Sequence, residues 1–329
     1  MFSPEHILTI IILALAFDFI NGFHDTANSI ATSVYTRALT PGRAVMMAAL
    51  LNFLGAVSST AVAATIAQGI AHPLSFNGYT LIAALIAAIM WNLFTWYLGM
   101  PSSSSHALIG GLVGSLIAGW GAQTIIWQGF FFVLAGLIIS PLVGFMLGHI
   151  IMKIFLLIFR NTNPVGINNQ FRKAQIVSAG LASFAHGCND AQKSMGLITL
   201  TLVASGWLSE FSVPLWVKIS CAAAMALGTW AGGWKIVRTL GNKIIRLEPI
   251  NGFASDLASS LVVYSASLLG APVSTTHVVS SSLLGMGAAV RSRGVRWKTG
   301  VQMVEAWFMT IPITAILSAA IYCLLKIIV

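Results

Sequence analysis

Eight apolar stretches of helical length run through this chain of 329 residues, over 6–21, 43–70, 79–99, 124–159, 174–205, 215–235, 253–270 and 301–328. Crossing the hydrocarbon core of a bilayer takes about 20 apolar residues in an α-helix. Backbone polar groups facing lipid must also bond within their own segment, which leaves helices or closed barrels. The alternation of a membrane barrel strand is absent from the sequence. Charge points the same way: 8% of the residues are charged and 57% hydrophobic, with a mean hydropathy of +0.88. A soluble domain carries about 25% charged residues. The expectation is an all-α polytopic membrane protein. The first apolar stretch runs into a polar motif and not a small-residue cleavage site, so no cleavable signal peptide is expected.

The formal charge of +9 does not point to nucleic acid. Lys and Arg fall in short clusters between apolar stretches, where they mark cytoplasmic loops. Cys188, Cys221 and Cys323 lie in or beside apolar stretches and read as small buried side chains, not a disulfide framework.

The chain repeats itself. Residues 98–106 read LGMPSSSSH and 269–277 read LGAPVSTTH; Pro101 and Pro272 stand 171 residues apart, and so do Pro141 and Pro312. Upstream, NGFHDTANS (21–29) resembles HGCNDAQKS (186–194) at an offset of 165, with Gly22, Asp25 and Ser29 matching Gly187, Asp190 and Ser194. The sequence therefore divides into a first repeat at 1–160, a short cytoplasmic linker at 161–173 and a second repeat at 174–329. Loop charge sets their directions. Loop 34–44 carries Arg37 and Arg43, while its counterpart near 200–212 has only Glu210. Loop 69–79 has no Lys or Arg, whereas 235–248 has Lys235, Arg238, Lys243 and Arg246. Opposite bias at equivalent places means opposite orientation. The expected architecture is two inverted-topology repeats with interrupted or re-entrant helices and about ten transmembrane crossings, multi-pass in the cell membrane. Inverted repeats are typical of secondary transporters, with the substrate near mid-membrane at the repeat interface.

Four segments break the apolar pattern, two per copy. Residues 22–29 and 187–194 each offer a glycine that permits a helix break, a carboxylate, then amides or hydroxyls one turn on. A carboxylate inside the hydrocarbon region is costly and marks function by default, so Asp25 and Asp190 are candidates to bind a coupling cation or accept protons. Asn28, Asn189 and Lys193 stand beside them as substrate contacts. The second pair, Ser102, Ser103, Ser104 and Ser105 after Pro101, and Ser274, Thr275 and Thr276 after Pro272, places hydroxyls where a new helix starts. Free N–H groups and the helix dipole make such a start an oxyanion site. Ordinary capping needs one hydroxyl; four and three exceed it. His106 and His277 read as proton carriers or as donors that fix the loops. Asp256, like Asp18 and Glu305, reads as a relay carboxylate or a structural partner.

INGFHDTANSIAT, MPSSSSHALIGG, FAHGCNDAQKSMGLIT and GAPVSTTH together resemble the inorganic phosphate transporter (PiT) family, and the form of the third is similar to the bacterial low-affinity phosphate permeases. The resemblance covers nearly the whole chain. It implies a symporter for phosphate with protons, or for a neutral metal–phosphate complex with protons, and sodium coupling in some relatives. It also implies that Asp25, Asp190, Asn28 and the hydroxyl loops line the site. One departure stands out: the position matching Asn28 in the second copy is Lys193, a cation where sodium-coupled relatives carry Asn. Proton coupling is the reading this favours.

A sulfate permease is the nearest alternative, but phosphate near neutral pH keeps a proton to donate and sulfate does not. A membrane hydrolase would need a nucleophile elbow, and no GxSxG is present; no enzyme is expected. A channel suits duplicated carboxylate-bearing breaks less well than alternating access. No cofactor is expected beyond the coupling H+ or Na+ and a divalent metal travelling with phosphate. The expected partners are inorganic phosphate, the lipid bilayer and, as one option, a second copy of the chain, with no nucleic acid.

Overall fold

A computed structural model describes residues 2–72 and 75–328 as twelve α-helices. They are α1 (Pro4–Tyr35), α2 (Pro41–Ser58), α3 (Ala61–Gly69), α4 (Gly78–Leu98), α5 (Ser104–Trp120), α6 (Trp127–Ile158), α7 (Pro164–Ala204), α8 (Leu215–Ala231), α9 (Trp234–Asn242), α10 (Pro249–Leu268), α11 (Thr275–Arg291) and α12 (Trp297–Ile328). No β-sheet forms among the described residues. Helix starts follow local rules. Proline opens α1, α2, α7 and α10, where its missing N–H costs nothing. The side chains of Ser3, Asn77 and Asn163 cap α1, α4 and α7.

Burial is inverted relative to a soluble protein. Phe308 and Ile316 are more than 70% exposed, while Asp18, Asn52, Asp190 and Lys193 are fully buried. This is the arrangement lipid requires, with apolar side chains outward and polar groups paired within. Helices α1, α2, α4, α6 and α12 are each long and apolar enough to cross a membrane. A sixth such span is α8 with α9, bent by 68° across Gly232 and Gly233.

One expectation fails here. The carboxylate motifs do not interrupt their helices: α1 continues unbroken for 32 residues through Asp25, and α7 for 41 residues through Asp190. Their glycines serve close approach instead. A Cβ on Gly22 would run into the Met225 carbonyl of α8, and one on Gly187 into the Asn52 carbonyl of α2. Gly228 and Gly55 make the reciprocal contacts, against the carbonyls of Phe19 and Phe184. Small residues let the backbones of α1 and α8, and of α7 and α2, nearly touch. Each carboxylate-bearing helix is thereby held close to a partner, α1 to α8 and α7 to α2.

The hydroxyl segments do sit at helix starts. Helix α4 lies beside α1, with Gly78 against the His6 ring near its beginning and Thr95 against His24 near its end. The chain then turns at Gly99, whose φ of +67° suits glycine, and α5 returns along α4, with Gly111 against Ala84. The second half repeats this. Gly252 lies against Gln175 and Asn189 bonds Ser267, so α10 follows α7; the chain turns at Gly270, again at φ +67°, into α11. Each hairpin tip is thus delivered to the level of a buried carboxylate.

Candidate functional site

The site is assembled from the middles of α1 and α7 and the start of α11. Thr276 Oγ1 donates to Asp25 Oδ1 at 3.1 Å, and Thr275 Oγ1 donates to Asp190 Oδ2 at 3.1 Å. Asn28, one turn past Asp25, donates to the same two hydroxyl oxygens at 3.0 and 3.5 Å. A carboxylate from each half therefore meets the first turn of one helix, where N–H groups lack intrahelical partners.

Each carboxylate has further supports. His24 Nδ1–H donates to Asp25 Oδ1 at 2.7 Å, and its Nε2 lies 3.2 Å from Thr95 Oγ1, which lies 2.8 Å from Ser102 Oγ. This links the first carboxylate to the first hydroxyl loop. Lys193 Nζ donates to Asp190 Oδ1 at 2.6 Å, and Asn21 donates to Asp190 Oδ2 at 3.4 Å. Between the carboxylates stands His186. Its Nδ1–H donates to Asn52 Oδ1 at 3.0 Å, which turns Nε2 toward Asp190 Oδ2 at 3.3 Å and Asp25 Oδ2 at 3.9 Å. Neither contact has hydrogen-bond alignment. Ligand atoms of Asp25, His186 and Asp190 lie within 4.8 Å of one another, close enough to share one cation.

The hydroxyls divide by task. Ser103 and Ser274 are N-caps, accepting from His106 N and His277 N. Ser105 donates to the Val273 carbonyl and so ties one loop to the other. Asn189 donates to Ser267 and to the Ala271 carbonyl and accepts from Val273 N, holding the second loop in shape. Ser104 is buried at the start of α5. The remaining cavity, beside Asn28, His186 and Thr275, is about 10 Å³, room for roughly one water.

Four candidates lie elsewhere. His106 and His277 are not brought to the carboxylates; their rings lie 4.4 Å apart, tilted by 42°, and His277 stacks on Trp307 at 4.0 Å. Asp256, on α10, accepts from Thr32 and Ser178, two turns or more from the carboxylates along α1 and α7. Asp18 accepts from Ser194 at 2.7 Å, two turns before Asp25. Gln192 caps α3, accepting from Val62 N and Ala63 N. Sequence reasoning passed over His186, Asn52 and Thr95. The signal for His186 was its place four residues before Asp190, one turn away on a continuous helix.

A family model for the phosphate transporter family matches residues 21–318. The chain belongs to that family. The transporter is 50% identical over 324 residues to a probable low-affinity inorganic phosphate transporter of Bacillus subtilis, covering 98% of this chain and 97% of the relative. It is 46% identical over 315 residues to a protein of the same description from Rhizobium meliloti, covering 95% and 94%. A solved structure described as the sodium-dependent phosphate transporter superposes with a TM-score of 0.91 at 28% identity, covering 99% of this chain and 100% of that one. Phosphate is what this family carries, and the transporter is a helical membrane protein and not an enzyme.

Proposed function

We propose that the transporter is a cell-membrane symporter that carries inorganic phosphate with protons. The observation that carries this reading is the meeting of Asp25 and Asp190 with Thr276 and Thr275 at the start of α11. The hydroxyls suited to an oxyanion are held by the carboxylates. Protonating the carboxylates removes their repulsion of an anion and frees both hydroxyls and the N–H groups behind them for phosphate. Anion and protons then bind only together, and opening the hairpin tips to one side or the other moves both. Phosphate fits this scheme better than sulfate, since it can exchange a proton with the same carboxylates.

Lys193 supports protons over sodium. Its side chain, fully buried against Asp190, places a basic group where a coupling cation would otherwise stand. Sodium coupling remains the second reading, favoured by the description of the structural relative. A metal–phosphate complex would present its cation to Asp25, His186 and Asp190.

Inverted topology is supported by contacts at helix ends. Ile126 N bonds Ile70 O where α6 begins, and Arg296 N bonds Ile244 O where α12 begins. The end of α6 lies beside the second of these places, around Arg246 and Gly294. Since α6 is about 48 Å long, its repeat partner α12 starts from the opposite face. We count ten legs: α1, α2 with α3, α6 and the α4–α5 hairpin, then α7, α8 with α9, α12 and the α10–α11 hairpin. The repeats join at 159–163, between α6 and α7; the rest of the linker expected at 161–173 forms the first turns of α7. Phosphate uptake into proteoliposomes, with sodium and pH gradients varied separately, tests the coupling; uptake driven by an inward proton gradient without sodium is expected, and a strict sodium requirement overturns it.

A further inference from the structure

At the face of the protein rich in Lys and Arg, a cavity of about 570 Å³ opens between the ends of α6, α7, α10 and α11. Three guanidinium groups line it from three separate elements. Arg160 follows α6, Arg246 precedes α10, and Arg291 ends α11. All three are exposed, and none has a carboxylate within ion-pair distance among the described residues. The one acidic side chain in the lining, Glu248, instead accepts from Asn168 at 3.2 Å. Apolar side chains line it too, among them Leu156 in the last turn of α6 and Phe159 just after it. Leu157 and Ile158, in the same turn, are more than 60% exposed on the lipid side.

We propose that this cavity binds an anionic phospholipid. The headgroup phosphate is held by Arg160, Arg246 and Arg291, and the acyl chains run down past Leu156 onto the outer surface of α6. Three arginines from separate elements line one cavity with no carboxylate paired to them, which favours an anion among them, and a planar donor fork matches phosphate oxygens bidentately. A free anion would use the arginines but leave the apolar lining wet; a phospholipid uses both. Basic pockets between helix ends at the cytoplasmic surface are where such headgroups are taken up. The site also reaches the transport machinery. Helix α11 carries Arg291 at this end and Thr275 and Thr276 at the other, about 25 Å away along one rod. A lipid clamping Arg291 against the end of α6 therefore biases where the second hydroxyl loop sits.

Native mass spectrometry of the detergent-solubilised full chain, mixed with equal amounts of phosphatidylglycerol and phosphatidylcholine, tests this. Preferential retention of phosphatidylglycerol is expected, with affinity falling about fivefold per arginine removed and about a hundredfold in R160Q/R246Q/R291Q. Equal retention of the two lipids, or undiminished retention by the triple variant, overturns it. Should that variant not fold, photoactivatable phosphatidylglycerol on the wild-type protein decides: crosslinks must fall in peptides spanning 152–160, 245–251 or 290–294, and crosslinks confined elsewhere overturn the site. Displacement of phosphatidylglycerol by millimolar inorganic phosphate alone would mark a free-anion site and also reject the lipid.

Discussion

Lys193 Nζ stands 2.6 Å from Asp190 Oδ1, one turn away on α7, with both side chains fully buried. Stripping one partner from such a pair leaves an uncompensated charge in a low-dielectric interior and costs about 3–5 kcal/mol. Lys193→Met and Asp190→Asn should each lower the melting temperature sharply, whereas the D190N/K193M double variant should regain most of it while failing to transport. Additive losses in the double variant would show that the two groups are not energetically paired.

His186 Nε2 stands between the two carboxylates while its other nitrogen is held by Asn52. Gln keeps hydrogen-bonding groups at this place but cannot carry a proton. His186→Gln should therefore cut proton-driven phosphate uptake markedly with little change in melting. Wild-type uptake would assign His186 to packing alone.

The hydroxyls should separate by measurement as they separate in space. Thr275→Ala and Thr276→Ala are expected to weaken binding of labelled phosphate by about ten- to a hundredfold. Ser103→Ala and Ser274→Ala, which remove N-caps, should cost about 1 kcal/mol of stability and leave affinity near wild type in the protein that folds. The reverse pattern would exchange the roles.

Gly22 and Gly187 have no room for a methyl group, since each faces a backbone carbonyl of a neighbouring helix. Gly22→Ala and Gly187→Ala should destabilise by about 1–3 kcal/mol or more, because backbone cannot move aside as a side chain can. Gly42, with nothing within 4 Å of an added Cβ, is the control; Gly42→Ala should be neutral or slightly stabilising. Thermal melts of the three variants give the ranking.

The charge bias of paired loops predicts opposite faces for 69–79 and 235–248. Cys323, expected to be buried, is exposed at the outward surface of α12. In a Cys323→Ser background, single cysteines at His72 and Arg246, both exposed, should therefore label from opposite sides of sealed vesicles with an impermeant maleimide. Labelling from one side would refute inversion.

Local chemistry was legible in the sequence because it depends on near neighbours. Pro101 and Pro272 followed by hydroxyls announced two helix starts, and Ser103 and Ser274 cap those helices. Hydropathy and the scarcity of charge announced a membrane protein, and the duplicated Asp25 and Asp190 announced where two carboxylates would meet. Local reasoning failed at Gly22 and Gly187. A glycine flanked by polar residues looks the same in one sequence whether it breaks a helix or lets two helices touch. Only packing distinguishes these, because the partner carbonyls of Met225 and Asn52 lie over a hundred residues away. The same holds for His186, read as part of a motif until Asn52 aimed its ring between the carboxylates. It holds too for the sorting of five of the seven hydroxyls into caps, a loop tie and carboxylate partners. The sequence by itself determined which groups would be buried at membrane depth. The tertiary structure decided which of them face one another, because hydrogen bonds and buried charges are satisfied across helices whose register no local rule contains.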